Sequence, residues 1–372
     1  MLVVDGHLDL AMNALHWNRD LTRSVVETRR AEAGMTEKGR ALGTVAFPEM
    51  RAGEVGLCMA TLIARAGASV AARTPTLRLS GYASREIASA VAHGQLAYYR
   101  ILERQGQVRL IGDAPALAEH LRSWQEPEGA GRSVAQAASL MSAPLGLILS
   151  MEGADPILSP DDAFAWWEKG LRVVSLSHYG MSAYAHGHDM EGGLLPGGRP
   201  LLNALAACGM IVDLTHLSDQ SFWEVLEAFP GRVCASHQNA RALVPDCRQF
   251  SDEQIRAVIA RGGVLGAALD AWMLQPGWIR GVTTNENLTL EAVADQIDHV
   301  CQLAGNARHA AIGTDLDGGY GKEQTPRDLD TIADIQKIPD LLRRRGYSEA
   351  DVRAVMHGNW IRFFQEAWGG VK

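Results

Sequence analysis

Leu2-Val3-Val4-Asp5-Gly6-His7-Leu8-Asp9 opens the chain. Three apolar residues run directly into a segment in which His7 and Asp9 stand two apart. In an extended backbone, residues i and i+2 point the same way, so both side chains can reach one metal ion. Taken alone, a His-x-Asp triplet reads more plainly as a capped turn. The rest of the chain changes its weight. Seven of eight short apolar runs end in His, Asp or Glu: this one, 145–151 at Glu152, 171–177 at His178, 210–215 at His216, 233–236 at His237, 264–269 at Asp270, and 310–314 at Asp315. The run at 55–63 has no such residue. Eight strands separated by helical segments predict an α/β fold, a (β/α)8 TIM barrel, whose strand ends converge on one catalytic face. His and carboxylate groups gathered there make a hydrolytic metal site.

Composition narrows the partners. The 372 residues, 47% hydrophobic and 21% charged, suit one large globular core. We read residues 1–372 as a single barrel domain, since barrels often exceed the usual domain length. The net charge of -8 argues against nucleic acid or an anionic membrane surface. Arg343-Arg344-Arg345 reads as the basic end of a helix. The five cysteines, at 58, 208, 234, 247 and 301, form no CxxC and read as reduced thiols. With no leader, lipid-anchor tail or membrane-length apolar run in the sequence, the expected location is the cytoplasm. The reading leaves a homo-oligomer open.

Helices are expected between the strands at 82–104, 161–169, 200–208, 218–228, 251–261, 289–304 and 334–345, with a last pair from Ser348 through Trp368. Ser218 is an expected N-cap, Ser251 with Gln254 an expected capping box, and Gly209 an expected stop. Roughly 80 residues separate the second and third expected strands, more than one crossover helix needs. Two extended loops follow strands on the catalytic face, 179–198 and 270–288. The second carries Trp272, Trp278 and Arg280, and both are placed to cover the site.

Among the chemical groups, Glu152 emerges from a strongly apolar strand. Such a carboxylate needs a salt bridge or a metal, because burying it bare costs several kcal/mol. Its two oxygens suit it to bridge two ions about 3.5–4 Å apart. His216 and His237 end neighbouring strands, which favours metal over two separately satisfied core histidines. Asp315 is placed to carry a proton from the attacking water to the leaving nitrogen, whereas Asp317 before Gly318 reads as a turn residue. His178 reads as a substrate contact that polarises the scissile carbonyl. Arg248 reads either as a bidentate clamp on a substrate carboxylate or as a surface residue ahead of the helix at Ser251. His186 and His188 read as loop residues, with a secondary metal role as the alternative.

Taken in order, these motifs resemble the membrane (renal) dipeptidase family of the amidohydrolase superfamily over nearly the whole chain. They are Asp5-Gly6-His7-Leu8-Asp9-Leu10, Arg51-Ala52-Gly53-Glu54-Val55-Gly56, Glu152-Gly153, Leu176-Ser177-His178, Val212-Asp213-Leu214-Thr215-His216-Leu217-Ser218, Ser236-His237-Gln238-Asn239 and Gly313-Thr314-Asp315-Leu316-Asp317-Gly318. The resemblance implies a TIM barrel with two zinc ions. It implies that His7, Asp9 and Glu152 hold one ion, and Glu152, His216 and His237 the other. It assigns Asp315 as proton shuttle, His178 as support for the tetrahedral intermediate, and Arg248 as receptor of the dipeptide's terminal carboxylate. The segment 269–273 departs from the aromatic and Asn-rich run usual after strand seven.

The expected function is therefore a cytoplasmic zinc dipeptidase, a metallopeptidase that hydrolyses small dipeptides, L,D-dipeptides among the candidates, by attack of a metal-bridging hydroxide. One alternative keeps the ligands but acts on N-acyl amino acids or cyclic amides. Another is a metal-binding barrel without catalysis, against which the intact Asp315 speaks.

Overall fold

Strands β1 (Val3–Leu8), β2 (Val55–Ile63) and β4 (Leu145–Glu152) are buried at every residue. Apolar side chains on both faces of a strand suit a parallel sheet covered on both sides. The computed structural model describes residues 1–67, 81–124 and 138–369. It adds β3 (Val108–Leu110), β5 (Leu171–Ser175), β6 (Ile211–Asp213), β7 (Val233–Cys234), β8 (Leu265–Ala267) and β9 (Ala310–Ile312). The strands pair in parallel in the order β7-β6-β5-β4-β2-β1-β9-β8. A bridge between Ala235 and Leu265 joins the two ends of that order. The eight strands on this path form the nearly closed (β/α)8 barrel that the sequence predicted.

β3 was not expected. It lies in the long stretch after β2, between helices Arg85–Arg104 and Ala114–Arg122. Residues 68–80 and 125–137 of that stretch lie outside the described residues. β3 pairs Val108 with Leu145 and Leu110 with Leu147, along the start of β4. From Leu149 onward, β5 pairs with β4 instead. Three residues, of which only Val108 is buried, carry too little periodicity to be seen in sequence.

Most expected helix signals are in place. Ser218 accepts a bond from the Ser221 amide at the start of Asp219–Ala228. Ser251 with Gln254 and Ser348 with Asp351 form reciprocal capping boxes, each cap worth about 0.5–2 kcal/mol. Gly209 ends Gly198–Cys208 at φ +76. The helix expected over 334–345 is instead a 3-10 segment, Ile332–Lys337, followed by Ile338–Arg344. Pro339 explains the break, since proline fits a first helical turn and not a helix interior. Trp360 on the last helix, Asn359–Gly369, is fully buried, and its indole donates to the Ile312 carbonyl at 2.9 Å. All five cysteines are free thiols.

Two motif glycines have a steric cause. A Cβ at Gly6 of β1, or at Gly313 just past β9, would collide with the carbonyl oxygen of Ser236 just past β7. Three distant segments thus touch backbone to backbone immediately beneath the ligand-bearing strand ends.

Candidate metal centre and active site

Each candidate ligand sits on or just beyond a strand end. His7 is in β1 and Asp9 follows it; Glu152 is the last residue of β4. His178, His216, His237 and Asp315 follow β5, β6, β7 and β9 by a few residues. His216 (φ +69) and Asp315 (φ +56) adopt left-handed backbone conformations. A non-glycine residue held there costs on the order of 1–3 kcal/mol, and such strain concentrates at functional sites. Asp317 is also left-handed (φ +60), but its carboxylate is taken by the Thr44 and Val45 amides and by Arg19. It is the turn residue that the sequence suggested.

The side chains converge on one carboxylate oxygen. Glu152 Oε1 lies 3.1 Å from His216 Nε2, 3.5 Å from His237 Nε2, and 3.7 Å from both His7 Nε2 and His178 Nε2. His7 Nε2 is also 3.7 Å from Asp9 Oδ1 and 3.8 Å from Asp315 Oδ1. All seven of these side chains are nearly or wholly enclosed. Burial, reinforced by Asp9 and Asp315, pushes Glu152 well above the usual carboxylate range. Burial likewise raises Asp315, and lifts Asp9 to about 6 against a bond from Thr61. The imidazoles move the other way. Burial, with Arg248 next in line, lowers His7 to about 3 and His216 well below its ordinary value.

This donor set fits divalent cations. His216 Nε2 and His237 Nε2 are 2.9 Å apart, so only one of them can carry a proton between them. His7 Nε2 is buried and has no hydrogen-bond partner. Neutral imidazole lone pairs thus crowd round carboxylates that, among the described residues, form no ion pair with Lys or Arg, and divalent cations would satisfy both. Three groups have ligand atoms within 4.8 Å of one another: His7, Asp9 and Glu152; Glu152, His178 and His216; and His7, His237 and Asp315. His178 and Asp315, assigned to catalysis from sequence, therefore also stand at ligand distance.

Outer groups hold the inner ones. Thr61 of β2 donates to Asp9, so the one expected strand that does not end in His, Asp or Glu still serves the site. Ser236 Oγ is 2.9 Å from His237 Nδ1. Asp5, lifted by burial to about 6, accepts from the His7 and Thr314 amides and the Thr314 hydroxyl. His188 is buried, with its Nδ1 3.3 Å from His216 Nδ1, whereas sequence reasoning had left it as a loop residue. A metal-bound histidine commonly has its second nitrogen fixed in this way.

Arg248 is fully buried, not a surface residue. Its Nη2 donates to the His237 carbonyl at 2.9 Å and lies 3.4 Å from His216 Nε2, and Nη1 donates to Gln238. Two of its five N–H bonds remain for a ligand. Arg248 lines a cavity with Asp9, Glu152, His178, His216 and Asp315. Trp272 and Arg280 of the second loop also line it, as do Tyr179 and Asp270 at the starts of the two expected covering loops, together with Lys38, Arg65 and Tyr320, which the sequence reading does not assign to the site. Asp270 caps the short helix Ala271–Leu274. Arg65 lies just past the end of β2, a position that could have drawn notice; Lys38 lies in no motif.

A family model described as membrane dipeptidase (peptidase family M19) matches residues 1–368. Dipeptidase aclJ of Aspergillus oryzae is 25% identical over 371 residues, covering 97% of this chain and 76% of that protein. Dipeptidase tcpJ of Claviceps purpurea is 29% identical over 204 residues, covering 53% and 45%. The chain spans about half the length of most of the curated relatives it matches. Among solved structures, a metallo peptidase from Rhodobacter sphaeroides, liganded with a phosphinate mimic of the dipeptide L-Ala-D-Ala, superposes with a TM-score of 0.75 at 21% identity, over 99% of each chain. That likeness is one of fold. With the match to the family model running from the first strand to the last helix, the chain belongs to the membrane dipeptidase family, peptidase family M19.

Proposed function

We propose that this protein is a binuclear zinc dipeptidase. The observation that carries the reading is Glu152, whose Oε1 faces four imidazole nitrogens within 3.7 Å, in a cavity that also holds the buried Arg248. His7, Asp9 and Glu152 would hold one ion, and Glu152, His216 and His237 the other. When bound, such a pair lowers the pKa of an intervening water and polarises the substrate carbonyl.

The remaining steps belong to the chain's own side chains. Arg248, pinned by the His237 carbonyl and Gln238, receives the terminal carboxylate of the dipeptide. His178, kept neutral by burial, has one N–H to offer the oxygen that becomes negative as the carbonyl is attacked. Asp315 takes the proton from the attacking water and delivers it to the leaving nitrogen. Its side chain is 17% exposed, more open than Asp9 or Glu152, so it can face both water and substrate. L,D-dipeptides are included in the proposal, since the bound mimic in the Rhodobacter protein is of that class.

Zinc-loaded protein assayed on a dipeptide library with L,L and L,D members tests the reading, with elemental analysis of the same sample. Hydrolysis with two ions per chain is expected. One ion or none in active protein would remove the bridged pair, and activity on N-acyl amino acids or cyclic amides alone would move the substrate class.

A further inference from the structure

The charges on the cavity wall are unbalanced. Set aside Asp9, Glu152 and Asp315 as the metal nest. Lys38, Arg65, Arg248 and Arg280 then share the cavity lining with a single carboxylate, Asp270, while Glu323 outside it also acts on Lys38 and Asp246 on Arg280. Arg248 accounts for one carboxylate of a dipeptide. Arg65 donates to the Tyr179 carbonyl and is already engaged. Lys38 and Arg280 are left over.

Asp270 does not neutralise them. Its Oδ2 accepts from the Trp272 indole at 2.6 Å, and its Oδ1 from Gln324 at 2.6 Å and the Trp272 amide at 3.4 Å. Among the described residues it forms no ion pair with either cation. Lys38 has neither a hydrogen bond nor an ion pair there; its Nζ lies 6.0 Å from the centre of the Tyr320 ring. Burial lowers its pKa, with Asp270 opposing, so the ammonium has lost water without gaining a direct partner. Arg280 is held rather than free. Its Cζ lies 4.2 Å from the Trp272 ring centre, and Nη2 donates to the Tyr179 hydroxyl at 3.1 Å. Neither contact cancels its charge, and N–H bonds remain to be used. A fixed guanidinium and an under-solvated ammonium on one cavity wall form a receptor for an anion.

We propose that Lys38 and Arg280 form a second anion subsite, distinct from Arg248, and that the substrates it selects are dipeptides with a side-chain carboxylate, containing Asp or Glu. This rests on the dipeptidase reading above. A neutral dipeptide brings one carboxylate, which Arg248 takes, and leaves Lys38 unpaired. An acidic one brings a second and supplies the missing counter-charge.

The test uses the zinc-loaded full chain and matched pairs: Ala-Glu against Ala-Gln, Glu-Ala against Gln-Ala, and the Asp and Asn equivalents, in L,L and L,D forms. The readout is the ratio of kcat/KM within each pair. In the wild type we expect the acidic member to lead by roughly 10–100-fold in at least one pair, the worth of one charge-assisted hydrogen bond. Lys38→Met and Arg280→Met should each bring that ratio toward one. Lys38→Glu should turn the preference toward Lys-containing dipeptides. Lys169→Met, at the end of the helix Asp162–Glu168 and just before β5, should keep the wild-type ratio. If wild-type protein cleaves both members of every pair equally well, the subsite is overturned and the dipeptidase reading stands. If no dipeptide is cleaved, both fall.

Discussion

The floor of the cavity is made of strand ends and its roof of loop side chains. On the floor, His7, Asp9, Glu152, His216 and His237 come from four strands or the residues just after them, and outer groups such as Thr61, Ser236 and His188 touch them. On the roof, Tyr179, Trp272 and Arg280 hold one another by a ring contact and one hydrogen bond. Moving one floor residue disturbs a barrel, whereas moving one roof residue disturbs a loop. Chemistry that must stay fixed is placed on strand ends, and selection among substrates on loops that can change without unfolding the protein.

Four outcomes bear on that division. The largest effect belongs to Glu152→Gln, the centre of the floor. It should lose most of the metal and nearly all turnover, read by elemental analysis and initial rates. Full metal content in this variant would break the claim that the floor exists for metal. Next is Asp315→Asn, which keeps shape but cannot take a proton. Both metals should stay, while kcat falls by about 10²–10⁴-fold. Parallel loss of metal would make Asp315 a ligand, as its distance from His7 allows.

Arg248→Ala comes third and sits where floor meets roof. It should impair free-acid dipeptides by roughly 2–5 kcal/mol in kcat/KM, since a buried pairing partner is removed. Dipeptide amides should be poor substrates of the wild type; equal turnover of amides and acids would remove the clamp. The smallest effect is that of Tyr179→Phe on the roof. It deletes one hydrogen bond to Arg280, worth about 0.5–1.5 kcal/mol. The change should appear in KM with metal content untouched. Metal loss here would mean that floor and roof are not separable.

The same division explains what could be read in advance. A ligand at a strand end leaves two marks in sequence, an apolar run and a polar residue that an apolar run cannot otherwise tolerate. His7, Glu152, His216, His237 and Asp315 each carry both. Gly6 and Gly313 were quoted within motifs, but their reason, the nearby Ser236 carbonyl, exists only in three dimensions. Roof residues leave no such mark. Lys38 and Arg65 are ordinary surface-type side chains until distant segments fold over them. His188 was weighed as a loop histidine, because nothing local says that His216 lies 28 positions away in sequence and in contact. β3 escaped for a different reason: it pairs only with the start of β4, so burial marks just one of its residues.

The seam of the barrel has a consequence in time. β2 and β4 are paired over seven residues, from Leu57 with Gly146 to Ile63 with Glu152. β7 has two residues, and it reaches β8 through Ala235, whose amide donates to Val264 and whose carbonyl accepts from Gly266, each at 2.9 Å, and through the Gln238 amide, which donates to the Gly266 carbonyl at 2.7 Å. His237 stands two residues further along that seam. Short, sparsely bonded segments open first and most often. On the proposed metal reading, His237 would therefore be the ligand most frequently released, and the rate at which the seam parts would set the rate at which an ion held there leaves. Amide exchange at Ala235 and Gly266 should outpace exchange in the middle of β4, and should slow when zinc is added, because an ion that binds only the closed form holds it shut. The shortest join of the barrel would thus be its door for metal, held by three backbone hydrogen bonds.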